Sequence, residues 1–214
     1  MILTNARLIF RDDIRDGLEL VVEKGKITAI REPSHARANE VVDLYGNYLA
    51  PGFIDLHVHG ALGRDTMEAS AEAFQVICDY HASGGTTALL LTTATAPIDR
   101  ITDVLNVVRG CRCWITRIAG VHVEGPFISK AKCGAQRAEF IQSPSRASVQ
   151  QLLDYADVIK RITIAPELPG ALEAVSRLRR AGIVVSAGHT GADFDQGRRA
   201  IAADPVKTTA DVFA

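Results

Sequence analysis

The chain has 214 residues, 47% of them hydrophobic and 23% charged, with 24 basic side chains against 25 acidic ones. That balance excludes disorder, a collagen-like repeat, a disulfide-dense mini-domain and a general basic footprint for nucleic acid. No apolar run reaches the ~18 residues that would predict a membrane span. The N-terminus turns polar at Thr4-Asn5, too early for a secretory leader. Cys78, Cys111, Cys113 and Cys133 show no paired spacing, which predicts reduced thiols and a cytoplasmic protein.

In chain order, residues 1–50 read as a small antiparallel β domain. Strand-like runs over 18–23 and 26–30 meet at Lys24-Gly25, a hairpin signal, and runs over 41–45 and 48–50 flank Gly46-Asn47, a second one. From residue 51 the rhythm changes. Short apolar runs occur at 53–56, 87–91, 115–121, 161–165 and 183–186, with a weaker one near Val206. Helical patterns separate most of them: a helix over about 71–82 ending at Gly84-Gly85, then Ile98, Ile101, Leu105 and Val108 on one face, then Leu172, Val175 and Leu178 on another. A strand–helix alternation implies an α/β fold with a parallel sheet. Polar residues gather just after the strands, where an α/β barrel keeps its active site, and no Gly-x-Gly-x-x-Gly supports a doubly wound sheet. A (β/α)8 TIM barrel takes about 250 residues; residues 51–214 hold about six strands of one, an incomplete barrel.

Three motifs follow those strands. In Asp55-Leu56-His57-Val58-His59-Gly60, His57 and His59 are two apart on a strand and project to one side, where two imidazoles can grip a divalent metal. Pro51-Gly52 before them and Gly60 after them are expected to clear space around the rings. In His122-Val123-Glu124-Gly125-Pro126, His122 and Glu124 share a face. A carboxylate buried there is costly unless it meets a cation, so Glu124 reads as a ligand and His122 as its support. In Gly188-His189-Thr190, the flanking glycine opens His189 toward the barrel mouth.

These segments resemble the N-acetylglucosamine-6-phosphate deacetylases of the amidohydrolase superfamily. The matching stretches are residues 51–60, Gly85-Thr86-Thr87, residues 122–127, Ala165-Pro166-Glu167 and residues 186–190. The resemblance implies a small N-terminal β-sandwich domain ahead of the barrel in the sequence. Its ligand set is Glu124 and His189, with His57 and His59 for a second ion in some members, so one or two divalent cations, zinc foremost, are implied. Ala135 and Gln136 of Gly134-Ala135-Gln136 stand where the family holds its substrate. The implied reaction is hydrolysis of the N-acetyl group of N-acetylglucosamine 6-phosphate to glucosamine 6-phosphate and acetate, in amino sugar catabolism. The implied partners are the small amino sugar phosphate and, for a full-length protein, a second copy in a homodimer, with no nucleic acid and no membrane.

The end of the chain departs from the pattern. The best register sets Asp211 where the family carries a third metal-binding His. The family's catalytic Asp follows the last barrel strand and finds no counterpart, so no acid/base residue is assigned. The chain therefore reads as an N-terminal portion that does not turn over substrate by itself. Two alternatives stand beside this reading: a truncated, non-catalytic fragment, and a dihydroorotase- or allantoinase-like enzyme. The latter use a carboxylated lysine after the fourth strand, where this chain has Pro166-Glu167.

Overall fold

Two turns shape the N-terminal strands. Lys24 (φ 49°) and Gly25 (φ 74°) both take the left-handed conformation that a tight hairpin needs. They join β4 (Glu19–Glu23) to β5 (Lys26–Arg31), which pair antiparallel. Tyr45 (φ 51°) and Gly46 (φ 77°) repeat that geometry, closed by Asn47 N–H donating to Leu44 O at 2.8 Å. The computed structural model describes residues 1–34, 40–111 and 115–202. Its chain divides into two units, Met1–Gly52 and Phe53–Ala214.

In the first unit, β1 (Ile2–Thr4) and β6 (Val41–Asp43) join β4 and β5 in a four-stranded sheet ordered β5-β4-β1-β6. A three-stranded sheet takes β2 (Arg7–Ile9), β3 (Ile14–Arg15) and β7 (Tyr48–Leu49) in the order β3-β2-β7. Ile2, Leu8 and Leu20 are buried. The all-antiparallel expectation is corrected here: β1 pairs β6, and β2 pairs β7, in parallel. The reason lies in the corners. The chain passes from β1 to β2 through Asn5 (φ 54°), and from β6 to β7 through Tyr45-Gly46, changing sheets each time. The two corners run side by side, tied by Gly46 N–H to Asn5 O at 2.7 Å. Gly46-Asn47 is thus a corner between sheets, not a hairpin within one.

The second unit is built on β8 (Phe53–Val58), β11 (Thr86–Thr93), β12 (Arg117–Glu124), β13 (Ile159–Ile164) and β14 (Val184–Ala187), all paired in parallel. Their order follows the chain, β8-β11-β12-β13-β14, with no reversal. A doubly wound sheet reverses at a switch point; a sequential order with right-handed crossovers puts every helix on one face, as in a barrel wall. The helices are α1 (Ala71–Ser83), α2 (Ile98–Gly110), α3 (Arg146–Leu153) and α4 (Ala171–Arg180), followed by α5 (Phe194–Ala202). A short ribbon, β9 (Gly60–Ala61) with β10 (Arg64–Asp65), follows β8. This is a partial, parallel-stranded half-barrel. Five strands stand among the described residues; the weak run near Val206 and Asp211 lie outside them.

One apolar core joins helices to sheet. Phe74, Ile77, Ile101, Leu105, Leu152 and Leu178 pack against Leu89, Leu91, Val121, Val123, Ile162 and Ile164. Alternate strand residues supply the helix side, which leaves the intervening ones for the opposite face. All four residues of the Ile98 stripe are buried. The stripe on α4 is corrected: Leu172 is 38% exposed, and Ala171 and Ala174 complete the buried face with Val175 and Leu178. The register of β12 slips against β11, since consecutive Leu89 and Leu90 oppose Ile118 and Gly120. Gly120 (φ 150°) is obligatory there, because a Cβ would stand 2.5 Å from both Lys160 Cγ and Val158 O.

Candidate metal centre

The strand ends bring four of the expected residues together. His57 is the penultimate residue of β8 and His59 follows the strand, while Glu124 ends β12 and His189 lies just past β14. His59 Nε2 is 3.0 Å from Glu124 Oε2, and His189 Nε2 is 3.3 Å from Glu124 Oε1. His57, His59 and Glu124 each offer one ligand atom within 4.8 Å of the others. Glu124 is 8% exposed. Its loop must leave at Gly125 (φ 78°), where a Cβ would lie 2.1 Å from Thr95 Oγ1.

Each imidazole is fixed through its other nitrogen. His59 Nδ1 lies 3.1 Å from Thr92 O, and His189 Nδ1 lies 3.0 Å from Lys132 O. A carbonyl oxygen only accepts, so both Nδ1 atoms carry the proton and both Nε2 atoms are turned to Glu124. His57 Nδ1 meets His122 Nδ1 at 3.1 Å, and His122 Nε2 meets Thr163 Oγ1 at 2.8 Å. One pair of tautomers that satisfies this chain has His57 donating to His122 and His122 donating to Thr163, which leaves His57 Nε2 its lone pair; the Thr163 hydroxyl also donates, so the reverse direction satisfies it too. His122 is 2% exposed and reaches Glu124 only through neighbours.

The charges follow from these contacts. Burial, with Arg161 and His57 adding to it, pushes His122 down to about 3, so this ring is neutral. Burial also lowers His57. His59 is raised, chiefly by its bond to Glu124. Burial alone would raise Glu124, yet the His59 bond and the neighbouring imidazoles outweigh it and hold the carboxyl at about 2.

Gln136 enters the site as well. Its Nε2 donates to Glu124 Oε2 at 2.6 Å and its Oε1 accepts from Thr95 N–H at 2.7 Å. Ala135 is exposed on the same loop and brings no polar side chain to the cluster. The expected role of Gly60 is corrected. A Cβ there would stand 2.1 Å from Arg64 O, so Gly60 closes the ribbon behind His59 rather than clearing room for the rings. Thr92, Thr163 and the Lys132 carbonyl escaped the sequence reading. The run Thr92-Thr93-Ala94-Thr95, polar at the end of an apolar strand, was the available signal for the first.

A family model of the amidohydrolase family matches residues 48–196. N-acetylglucosamine-6-phosphate deacetylase of Lysinibacillus sphaericus is 32% identical over 208 residues, covering 94% of this chain and 53% of that protein. N-acetylgalactosamine-6-phosphate deacetylase of Escherichia coli O157:H7 is 30% identical over 204 residues, covering 93% and 53%. The crystal structure of N-acetylglucosamine-6-phosphate deacetylase from Pasteurella multocida superposes with a TM-score of 0.88 at 33% identity, over 95% of this chain and 54% of that one. The chain thus spans about half the length of the curated relatives it matches. Triazine hydrolase, at 15% identity and a TM-score of 0.58, shares the fold alone. The family match runs from the end of the first unit through β14 and into α5, taking in all four residues that meet at Glu124, and the chain belongs to the amidohydrolase family.

Proposed function

We propose that the chain carries the cation-holding part of an N-acetylglucosamine-6-phosphate deacetylase. One observation carries this reading: two imidazoles, each pinned by its Nδ1 to a backbone carbonyl, turn their Nε2 atoms onto the two oxygens of one buried carboxylate. With both rings neutral, two lone pairs would face the carboxylate, and a divalent cation would take the place of the proton that bridges His59 and Glu124. Donors bound at about 2.0–2.1 Å to a shared tetrahedral ion sit roughly 3.3 Å apart, which fits the 3.0 and 3.3 Å separations around Glu124. Glu124, His59 and His189 would hold one divalent cation, and His57 would share it or hold a second. Mixed His and Glu donors suit zinc. The substrate comes from the relatives' names, with the galacto-sugar enzyme of Escherichia coli O157:H7 widening the class to 2-acetamido sugar 6-phosphates.

When bound, a divalent cation would polarise the acetyl carbonyl and acidify the attacking water. The chain's own residues prepare that chemistry. The Thr92 and Lys132 carbonyls fix the rings, so that no rotation is needed as the reaction begins. Neutral His122 holds His57 without adding positive charge to the site. Gln136 braces Glu124, and turning its amide away from Thr95 and Glu124 would present it to the sugar. Glu124 itself is committed to His59, His189 and Gln136, so the proton transfers fall to another group.

In the same reading, residues 1–50 form a small accessory β-sandwich and residues 51–214 hold about six strands of a (β/α)8 barrel. The protein is cytoplasmic, and a full-length form is a homodimer. The sequential strand order supports the barrel, and the two sheets of the first unit support the sandwich. Among the described residues no helix is long and apolar enough to cross a membrane. The test is acetate release from N-acetylglucosamine 6-phosphate, measured on the zinc-loaded chain and on a form extended in frame to the relatives' length. Release by the extended form that disappears in Glu124→Gln supports the reading. A zinc-replete extended form that releases no acetate from either amino sugar phosphate overturns it.

A further inference from the structure

His189 is held in the left-handed region, φ 50°, although it is not glycine. A side chain with a Cβ is disfavoured there and keeps that conformation where a turn, as at Lys24 and Tyr45, or neighbouring contacts hold it. Three sets of contacts do so. Ser129 N–H donates to His189 O at 2.9 Å, and the ring is tied to Lys132 O. The third comes from Glu167, in the turn after β13. Thr190 Oγ1 donates to Glu167 Oε2 at 2.5 Å, and Gly191 N–H donates to Glu167 Oε1 at 2.7 Å. Thr190 Oγ1 in turn accepts from Ala192 N–H at 2.9 Å. Both oxygens of one carboxylate therefore grip the two residues that follow the strained histidine. Hydrogen bonds to an ionised acceptor are shorter and stronger than neutral ones. The Glu167 turn is itself fixed to the loop that follows β12, where Ala165 N–H donates to Phe127 O at 2.8 Å.

We infer that Glu167 is a positioning residue: through Thr190 and Gly191 it holds His189 in its left-handed conformation, with Nε2 on Glu124. Without the clamp, residue 189 relaxes to an ordinary backbone conformation and its ring leaves the carboxylate. The consequence for cation binding rests on the proposed function; the backbone consequence does not.

Two measurements on the whole chain separate them. The one-bond Cα–Hα coupling of His189, read by NMR without added metal, distinguishes positive from negative φ, and the Nδ1–H resonance reports the tie to Lys132. Cobalt(II) titration followed by absorbance reports the site. Glu167→Ala and Thr190→Val are expected to lose the left-handed coupling and the Nδ1–H signal, and to weaken cobalt binding about 10–100-fold, the usual cost of an outer partner. Thr190→Ser, which keeps the hydroxyl, is expected to retain wild-type values in both. If Glu167→Ala fails to fold, Thr190→Val carries the same test with a single hydroxyl removed. A lower thermal midpoint with unchanged His189 coupling would mark Glu167 as a general brace and overturn the inference. A wild-type chain that takes up no cobalt, while the variants still lose the coupling, would leave the clamp standing and remove the cation reading instead.

Discussion

Two buried carboxylates invite comparison. Glu19 in the first unit is 2% exposed and Glu124 in the second is 8% exposed. Glu19 lies just under the surface and meets a permanent cation: Arg31 Nε donates to Oε1 at 2.7 Å, and Ser34 Oγ donates to the same oxygen at 3.1 Å. The Arg31 bond is the leading cause of its lowered pKa. Glu124 meets two imidazoles and an amide, none of which carries a fixed charge. Burial alone therefore does not mark a site. A carboxylate whose neutralising cation belongs to the chain is structural, and one whose neighbours can take up or give up a cation is poised to work.

The largest expected effect tests that contrast directly. Glu124→Gln keeps the shape and removes the charge, and zinc affinity should fall by more than about 100-fold, beyond the range that outer partners command. Isothermal titration against wild type measures it; equal affinity would place the cation elsewhere.

Next comes pH. His59 is raised above its usual 6.5, so its contribution to metal-free stability is fully present below about 6.5 and is lost as pH rises through the raised value. Glu124 is lowered to about 2, so its contribution is present above about 4.5 and is lost as pH falls toward 2. The pair thus stabilises the metal-free chain most between about 4.5 and 6.5. Zinc must displace the His59 proton, so affinity should rise with pH through His59's value, by up to about tenfold per unit. His122, buried neutral at about 3, opposes stability below 6.5, and the difference between wild type and His59→Gln cancels that background. A flat zinc profile from about pH 5.5 to 7.5 would contradict a shared His59–Glu124 site.

Gln136→Ala removes one brace from Glu124 and should weaken zinc about tenfold, the lower end for an outer contact. Competition with a coloured chelator resolves that factor. The smallest effect belongs to the other carboxylate: Glu19→Gln should lower the thermal midpoint and leave zinc affinity unchanged. If it altered zinc binding, the distinction drawn between the two carboxylates would fail.

Much of the second unit was legible because its signals are local. Buried parallel strands write continuous apolar runs, and residues two apart share a face, so the five strands and the facings of His57 with His59 and of His122 with Glu124 followed from spacing. Leu172 misled because a helical period fits two adjacent stripes, and only packing on Ala171 and Ala174 chose between them. The parallel pairs of the first unit were hidden for another reason: Ile2 meets Val41 across 39 residues, and no nearby pattern encodes such a partner. The carbonyls of Thr92 and Lys132 were illegible as acceptors, since every residue has one; only the polar run around Thr92 marked its place. The Glu167 clamp was written in the sequence as Ala165-Pro166-Glu167 and Gly188-His189-Thr190, but without the fold nothing shows that these two turns touch.

The slip at Gly120 gives β12 a phase as well as an order. With an extra residue taken up before it, Val121 and Val123 face the helices while His122 and Glu124 face the rings of β8. Because facing alternates strictly, removing one residue ahead of Gly120 would turn the strand's inventory inside out, sending a carboxylate and an imidazole into the apolar layer and two valines into the site. A side chain at 120 would instead wedge β12 away from Lys160 and Val158. The spatial reading frame of this strand thus hangs on a hydrogen atom where other residues carry carbon. Relatives are therefore best compared here by which way each residue faces, since a single gap exchanges the site for the core.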